Sequence, residues 1–262
     1  PTAAADQVRE DQWPLKAFLA EEIWEISQGE GVKVAVIDLG IDSQHPDLKR
    51  NILTDKGKDF VDGGAPEPEE GESHGTAMAG VIAGHGHGPG GSQGVKGLAP
   101  KAKIIPIRDD GSSGDGFASS IRYAVDAGAD IINISQGGPD PVPQAQEAVA
   151  YALEHDVLVV AGAGNDGKGP EWEFYPAYYP GVVAVGGVES NGEIWENSNR
   201  SPSVLLTAPA AGIVSTGGGT ESFPYRKGSG TSDAAAYVSA AAALLKAKFP
   251  ELTPGQIVNR LV

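Results

Sequence analysis

The sequence predicts a three-layer α/β/α fold around a mostly parallel sheet, and three observations carry that prediction. Apolar, largely β-branched runs recur near 32–38, 102–107, 131–135 and 157–161 with almost no polar alternation, as in strands buried on both faces. Helical stretches separate them, so strand and helix alternate along the chain. Several runs stop at a carboxylate or a glycine-led turn, and open parallel sheets place their chemistry at that edge. With 262 residues the chain reads as one domain over 1–262, in which 1–30 form an N-terminal arm and a helix packed on it.

Taken in order, Trp13-Pro14-Leu15 leads into a helix expected over 17–26, where Leu19, Ile23 and Ile26 recur at helical spacing before Gly29 and Gly31. The run from Val32 ends in Asp38 and turns through Gly40, His45 and Asp47. A polar loop rich in Gly, Pro and Glu fills 55–72. Ser73-His74-Gly75-Thr76 opens a helix of small residues over 77–84, suited to close packing against a neighbour. A flexible glycine-rich loop is expected over 85–94, a strand over 102–107, and a helix over 118–127 after Ser112-Ser113-Gly114. Strand 131–135 gives way to Gln136-Gly137-Gly138, and helix 145–155 to strand 157–161, which stops at Gly162-Ala163-Gly164-Asn165. Short strands at 182–185 and 203–207 follow. Last comes Gly228-Ser229-Gly230-Thr231-Ser232-Asp233, a turn feeding an alanine-rich helix to about 249, with Thr231 as its expected cap.

Composition excludes several classes of function. A net charge of −16 argues against nucleic acid as a partner. The absence of cysteine removes disulfides, thiolate catalysis and Cys-type zinc sites together. No apolar run reaches the length of a membrane span. The chain starts at Pro1 with no signal core, as a processed or trimmed form would. Gly162 to Gly167 fits a dinucleotide glycine pattern and Gly162 to Lys168 nearly fits a P-loop. Gly169 replaces the needed Ser/Thr, however, and Gly169-Pro170 breaks the chain where a phosphate-binding helix must begin. His85 and His87 read as solvated loop histidines rather than metal ligands, and Glu69-Glu70 as a solvated pair rather than a glycosidase dyad.

Four features remain: Asp38 at a strand end, His74 at a helix start, Asn165 at a strand end and Ser232 at a helix start. A strand-end Asp is often a helix cap, and Ser232 alone would read as part of an ordinary capped helix. In a parallel sheet all four fall at one edge. There they supply an orienting carboxylate, a base, an oxyanion donor, and a nucleophile near unpaired helix N–H groups. Their order, Asp then His then Ser, is one of the recognised triad orders.

Around these residues the chain resembles the subtilisin-like serine proteases, the subtilases, over nearly its whole length. VAVIDLGID resembles the family's Asp motif, SHGTAMAG its His motif and SGTSDAAAYVSAAAALL its Ser motif. LVVAGAGNDG resembles the oxyanion-Asn segment, INISQGG the substrate-binding strand and YPAYYPGVVAVGG the border of the specificity pocket. Within the family, residues 13–15, GHGHGPGGSQGVKGLAP and TPGQIVNRL look most like actinobacterial mycosin-type proteases. The sequence departs from the pattern at Ala77, which stands where many relatives carry a second His, and at Asp233 and Ala236 after the nucleophile. Mycosins usually carry disulfides and a C-terminal anchor, and this sequence shows neither, which leaves room for an anchor trimmed from a longer precursor.

The resemblance implies a serine endopeptidase in which Ser232 attacks, His74 acts as base and then acid, Asp38 orients the imidazole, and Asn165 with the Ser232 N–H receives the oxyanion. It implies extended substrate pairing along Gly111, Ser112, Ser135 and Gly137. The specificity pocket would be bordered by Ala163 and Gly164 and by residues near Phe174, with Glu171 and Glu173 favouring a basic side chain. No cofactor is implied for the chemistry; calcium, bound by many subtilases, meets no convincing ligand cluster here. Peptide or protein substrate, a monomer, and an extracellular or cell-envelope location complete the expectation. The alternatives are a catalytically silent subtilase fold that binds peptides as a scaffold subunit, and a protease dedicated to maturing one peptide.

Overall fold

The computed structural model describes residues 7–169, 171–217 and 224–262. In chain order its elements are α1 (Trp13–Ala17), α2 (Ala20–Trp24), β1 (Lys33–Asp38), β2 (Lys58–Asp59), α3 (His74–Ala83), β3 (His85–His87), β4 (Gln93–Lys96), β5 (Lys103–Arg108), α4 (Gly114–Asp126), β6 (Ile131–Ile134), α5 (Pro143–Glu154), β7 (Leu158–Gly162), β8 (Val183–Val188), β9 (Val204–Pro209), β10 (Ile213–Thr216), β11 (Tyr225–Gly228), α6 (Thr231–Lys248) and α7 (Pro254–Leu261).

Seven strands form one sheet in the order β2-β5-β1-β6-β7-β8-β9, and each neighbouring pair is parallel. All their C-terminal ends therefore lie at one edge. Alternate residues of each strand feed opposite cores. Val34, Val36, Ile131 and Val160 pack with the alanines of α3 and α6, whereas Ala35, Ile37, Ile132 and Val159 pack with Ile121 of α4 and Val149 of α5. This is the three-layer α/β/α arrangement, and the apolar runs were continuous because both faces are covered.

α6 is buried on nearly every side, and its alanines let it lie close to the sheet while α3 crosses against it. One polar stitch crosses that contact: Ser239 Oγ donates to Asn133 Oδ1 at 2.9 Å, and Asn133 Nδ2 donates to Ser135 Oγ at 2.8 Å. The N-terminal arm is tied down by the Trp13 and Trp24 indoles, which donate to the Ala211 and Leu98 carbonyls at 3.1 and 2.9 Å.

Several local expectations give way. The helix expected over 17–26 is two helices, because Leu19 adopts a left-handed φ of 53°; its side chain is left 60% exposed, while the Phe18 ring reaches Tyr237. α4 starts earlier than expected because Ser113 Oγ accepts from Gly116 N at 3.1 Å and caps the helix there. The glycine-rich stretch 85–94, expected to be flexible, contributes the antiparallel β3–β4 pair, and Arg9 donates to the carbonyls of Gly91, Gln93 and Gly94. The β10–β11 pair was not foreseen, since its strands are four residues each, β10 holds two apolar residues, Ile213 and Val214, and β11 none beyond Tyr225. Ser215 and Thr216 of β10 donate to the Ala77 and Thr76 carbonyls of α3 at 2.7 and 2.6 Å. No helix among the described residues is long and apolar enough to cross a membrane.

Candidate active site

β1 carries Asp38 to the C-terminal edge of the sheet, where it is 1% exposed. One carboxylate oxygen accepts from Leu39 N at 2.8 Å, and both face His74 Nδ1 at 2.8 and 3.0 Å. His74 begins α3, whose first backbone N–H groups are met by Glu72 Oε1 at 2.7 Å from Ser73 and His74. The approach of α3 to β1 is close. A Cβ on Gly75 would collide with the Gly40 carbonyl and stand 3.0 Å from Asp38 Cβ, so glycine is needed beside the histidine. The Asp38 charge is the main influence on the His74 imidazole and raises its pKa above 6.5 against the opposing effect of burial; Arg226 lowers it and Asp233 raises it.

Ser232 is 7% exposed in the first turn of α6, and its Oγ donates to the Ser135 carbonyl at 3.2 Å. No hydrogen bond joins it to His74 here. Asn165 follows β7 and is exposed. Thr231, expected to cap α6, does something else: it is the first helical residue, behind an extended Gly230, and both its N–H and its hydroxyl donate to Asn165 Oδ1 at 2.8 and 2.9 Å. With Oδ1 doubly occupied, Nδ2 is the end of the Asn165 amide left without an acceptor among the described residues. The Thr231 hydroxyl also accepts from Gly164 N at 3.1 Å, which ties the end of β7 to the helix start.

Asp233 stands in a different state from Thr231. It is 1% exposed, and burial pushes its carboxyl up to about 6, partly offset by Arg226 and His74. Arg226 Nη2 lies 3.9 Å from Asp233 Oδ1, near enough for charge attraction but too far for a hydrogen bond. Asp233 Oδ1, Arg226 Nε and the Tyr237 hydroxyl are buried with no hydrogen-bond partner among the described residues. Sequence reasoning flagged Asp233 but not Arg226, which sits on the unforeseen β11.

The residues expected along the substrate cleft sit beside this cluster. Gly111 and Gly137 line one pocket together with Gln136 and Tyr175, and Gly111 takes a positive φ of 69° at the turn before α4. Ser112, exposed, donates its N–H to Asp110 Oδ1 at 2.9 Å. Ser135 is half-buried with its carbonyl taken by Ser232. Ala163 is buried and its carbonyl accepts from Asn199 Nδ2 at 3.0 Å, so Asn199, missed in the sequence, braces the strand end. The Phe174 ring leans against Gly137 and Gly164. Glu173, expected in the specificity pocket, is exposed and its carboxylate accepts from the Tyr175 hydroxyl.

Three further expectations are settled by these contacts. His85 and His87 are not simply solvated: His87 Nδ1 pairs with the buried Asp47 at 2.6 Å, and His85 Nδ1 with the Gly86 carbonyl at 2.6 Å. Glu69 is likewise engaged, with Asp59 and Asp62, by Arg108, which pins the 59–69 loop ahead of α3. After Asn165 no helix begins among the described residues until α6, so the glycine pattern at Gly162 lacks the helix that would bind phosphate; Pro170 lies outside the described residues. Among the described residues no group of three or more His, Cys, Asp or Glu is placed to hold a metal ion.

Comparison with known proteins agrees with this architecture. A family model described as the subtilase family, Peptidase_S8, matches residues 29–262. The major intracellular serine protease of Bacillus subtilis (strain 168) is 40% identical over 242 residues, covering 88% of this chain and 74% of the relative. The intracellular serine protease of Paenibacillus polymyxa is 37% identical over 250 residues, covering 92% and 74%. Among solved structures, that of MycP1 with its N-terminal propeptide removed superposes with a TM-score of 0.81 at 30% identity, covering 95% of this chain and 87% of that one. Mycosin-like structure is thus joined to higher identity with proteases named intracellular. The expectation of an extracellular or cell-envelope location is therefore overturned: it was taken from the family, and these similar members of the family are named for the opposite side of the membrane.

Proposed function

The chain belongs to the subtilase family of serine endopeptidases, and on that premise we propose that Asp38, His74 and Ser232 are its triad and Asn165 its oxyanion donor. It needs no cofactor for the chemistry. The observation that carries this reading is the Asp38–His74 pair. A buried carboxylate bound to Nδ1 holds the proton there and leaves Nε2 as the basic nitrogen facing the cleft.

In the proposed mechanism a substrate strand runs along Ser135 to Gly137, and its backbone N–H takes the Ser135 carbonyl. That contact displaces the Ser232 hydroxyl, which now donates to the carbonyl at 3.2 Å and is free to turn to His74 once the carbonyl is taken. Ser232 Oγ attacks the scissile carbonyl as His74 Nε2 accepts its proton. The negative oxygen meets the Ser232 N–H at the start of α6 and the Asn165 amide, whose orientation Thr231 has already fixed. His74 then protonates the leaving amine, and water repeats the sequence to release the acyl group. Asp38 stabilises the imidazolium throughout.

A fluorophosphonate, which phosphonylates an activated serine with loss of fluoride, tests this. The wild-type protein should be modified at Ser232 and Ser232→Ala should not. A folded wild-type protein that resists the label would favour a silent peptide-binding subunit. Digestion of a diverse peptide library separates a broad protease from a dedicated maturation enzyme: cuts at many unrelated sites would exclude the latter.

A further inference from the structure

Two glycines face one another across the cleft, and the space between them is already filled. A Cβ built on Gly137, after β6, would collide with the Tyr175 carbonyl oxygen and, next to it, meet Phe174 Cε1 at 2.8 Å; one built on Gly164, after β7, would collide with Asn199 Nδ2 and then meet Phe174 Cγ at 3.0 Å and Cδ2 at 3.1 Å. The same ring therefore touches both walls. It is anchored by its neighbour, since Tyr175 N donates to the Gly138 carbonyl at 2.8 Å and Gly138 N to the Tyr175 carbonyl at 3.0 Å. Those two bonds form an antiparallel bridge that fixes the backbone next to Phe174 against the strand carrying Gly137. The ring is half-buried rather than swung into solvent.

Glycine on both walls of a slot ordinarily leaves room for a large flat side chain. Here that room is spent inside the protein. The proposed reading of the site puts a substrate strand beside Ser135 to Gly137, with its scissile carbonyl at Ser232, and the present inference rests on it. On that path the side chain just before the scissile bond points into the slot between Gly137 and Gly164. We infer that Phe174 closes the specificity pocket, so that the protein cleaves after small residues — glycine, alanine or serine — and rejects aromatic, long aliphatic and basic ones. Neither carboxylate expected to favour a basic side chain is buried in the slot: Glu171 and Glu173 are both exposed, and Glu173 accepts from the Tyr175 hydroxyl.

The ring acts on selectivity by volume. A methyl or hydroxymethyl group can lie at the mouth of the slot above the ring. Anything larger has to displace the ring, and close-packed surroundings resist that. Differences of this size in an apolar pocket give discrimination of about tenfold or more.

The test uses a series of succinyl-Ala-Ala-Pro-X-p-nitroanilides with X as Ala, Phe, Leu or Lys, alongside fluorophosphonate labelling of the same wild-type preparation. The expected result is kcat/KM for X as Ala at least about tenfold above the other three. Phe174→Ala should raise the Phe-to-Ala and Leu-to-Ala ratios of kcat/KM by about tenfold or more. Should that variant not fold, the wild-type ranking decides alone. A protein that takes the label at Ser232 yet cleaves after Phe, Leu or Lys as fast as after Ala overturns the closed pocket and leaves the triad standing. A protein that neither takes the label nor cleaves any member overturns the reading beneath it.

Discussion

The edge of the sheet that carries Asp38, His74, Asn165 and Ser232 and the wall formed by Phe174 border the same cleft but are held in place differently. At the edge, orientation comes from dedicated polar partners. Asp38 accepts from Leu39 N–H and faces His74, Asn165 Oδ1 accepts twice from Thr231, and Ser239 stitches α6 to β6 through Asn133. At the wall, one apolar ring on the connection between β7 and β8 is held by packing and a two-bond bridge. Chemistry thus rests on strand and helix ends that several elements define together. Selectivity rests on which side chain happens to lean into a slot. The two should respond to substitution in different ways: edge changes should lower the rate on all substrates, and wall changes should reorder them.

The largest effects belong to the edge. Ser232→Ala or His74→Ala should lower kcat by a factor on the order of 10⁶ for any peptide nitroanilide, with the folded state retained by circular dichroism. Asp38→Asn should cost about 10⁴ in kcat, because the imidazole loses the partner that holds its tautomer. Asn165→Ala should cost about 10²–10³ in kcat with KM little changed, since its amide acts on the developing oxyanion. A substrate-dependent loss in any of these four would erase the distinction between edge and wall.

Smaller effects sharpen it. His74 must be neutral to accept a proton, and Asp38 holds its pKa above 6.5, so kcat/KM should climb with pH through a midpoint above 6.5. Arg226→Gln should move that midpoint up and Asp233→Asn should move it down, because Arg226 lowers and Asp233 raises the imidazole. A profile of kcat/KM from pH 5 to 9 reads both shifts, which a purely structural role would not produce.

Asp233 also makes a stability prediction. Its pKa is raised from 3.8 to about 6 by burial, so the folded state binds its proton more tightly than the unfolded chain does. Stability from this group is therefore intact below about pH 4 and is lost as pH rises to about 6, by roughly 3 kcal/mol in all. Urea unfolding of the Ser232→Ala protein at pH 4, 5 and 6.5 should show that loss, and adding Asp233→Asn should remove most of it. An unchanged slope would mean that Asp233 keeps its proton, or finds a partner, across this range.

The positions of Asp38 and His74 at the sheet edge were legible in residue types because each bounds a regular element. The β-branched run that ends in Asp38 and the small-residue helix that starts at His74 each announce their position. What could not be read is what joins elements distant in sequence. Thr231 looked like a cap, since a threonine before an alanine-rich helix usually is one, but its partner is 66 residues away in sequence on β7's end. Arg226 lies on a strand with no apolar pattern. Residues near Phe174 were expected at the pocket border, with Glu171 and Glu173 as its charges, but that the Phe174 ring stands against both Gly137 and Gly164 depends on contacts between distant segments that no local pattern shows. Periodicity also missed the break at Leu19, where a single left-handed residue interrupts an otherwise helical spacing.

The most direct measurement is kcat/KM for the four nitroanilide substrates on wild type, Asn165→Ala and Phe174→Ala side by side. A fixed edge beside a plugged wall predicts that Asn165→Ala lowers all four by a common factor, leaving Ala first. It predicts that Phe174→Ala changes their order in favour of Phe and Leu. Reordering by Asn165→Ala, or a uniform change with Phe174→Ala, would contradict it.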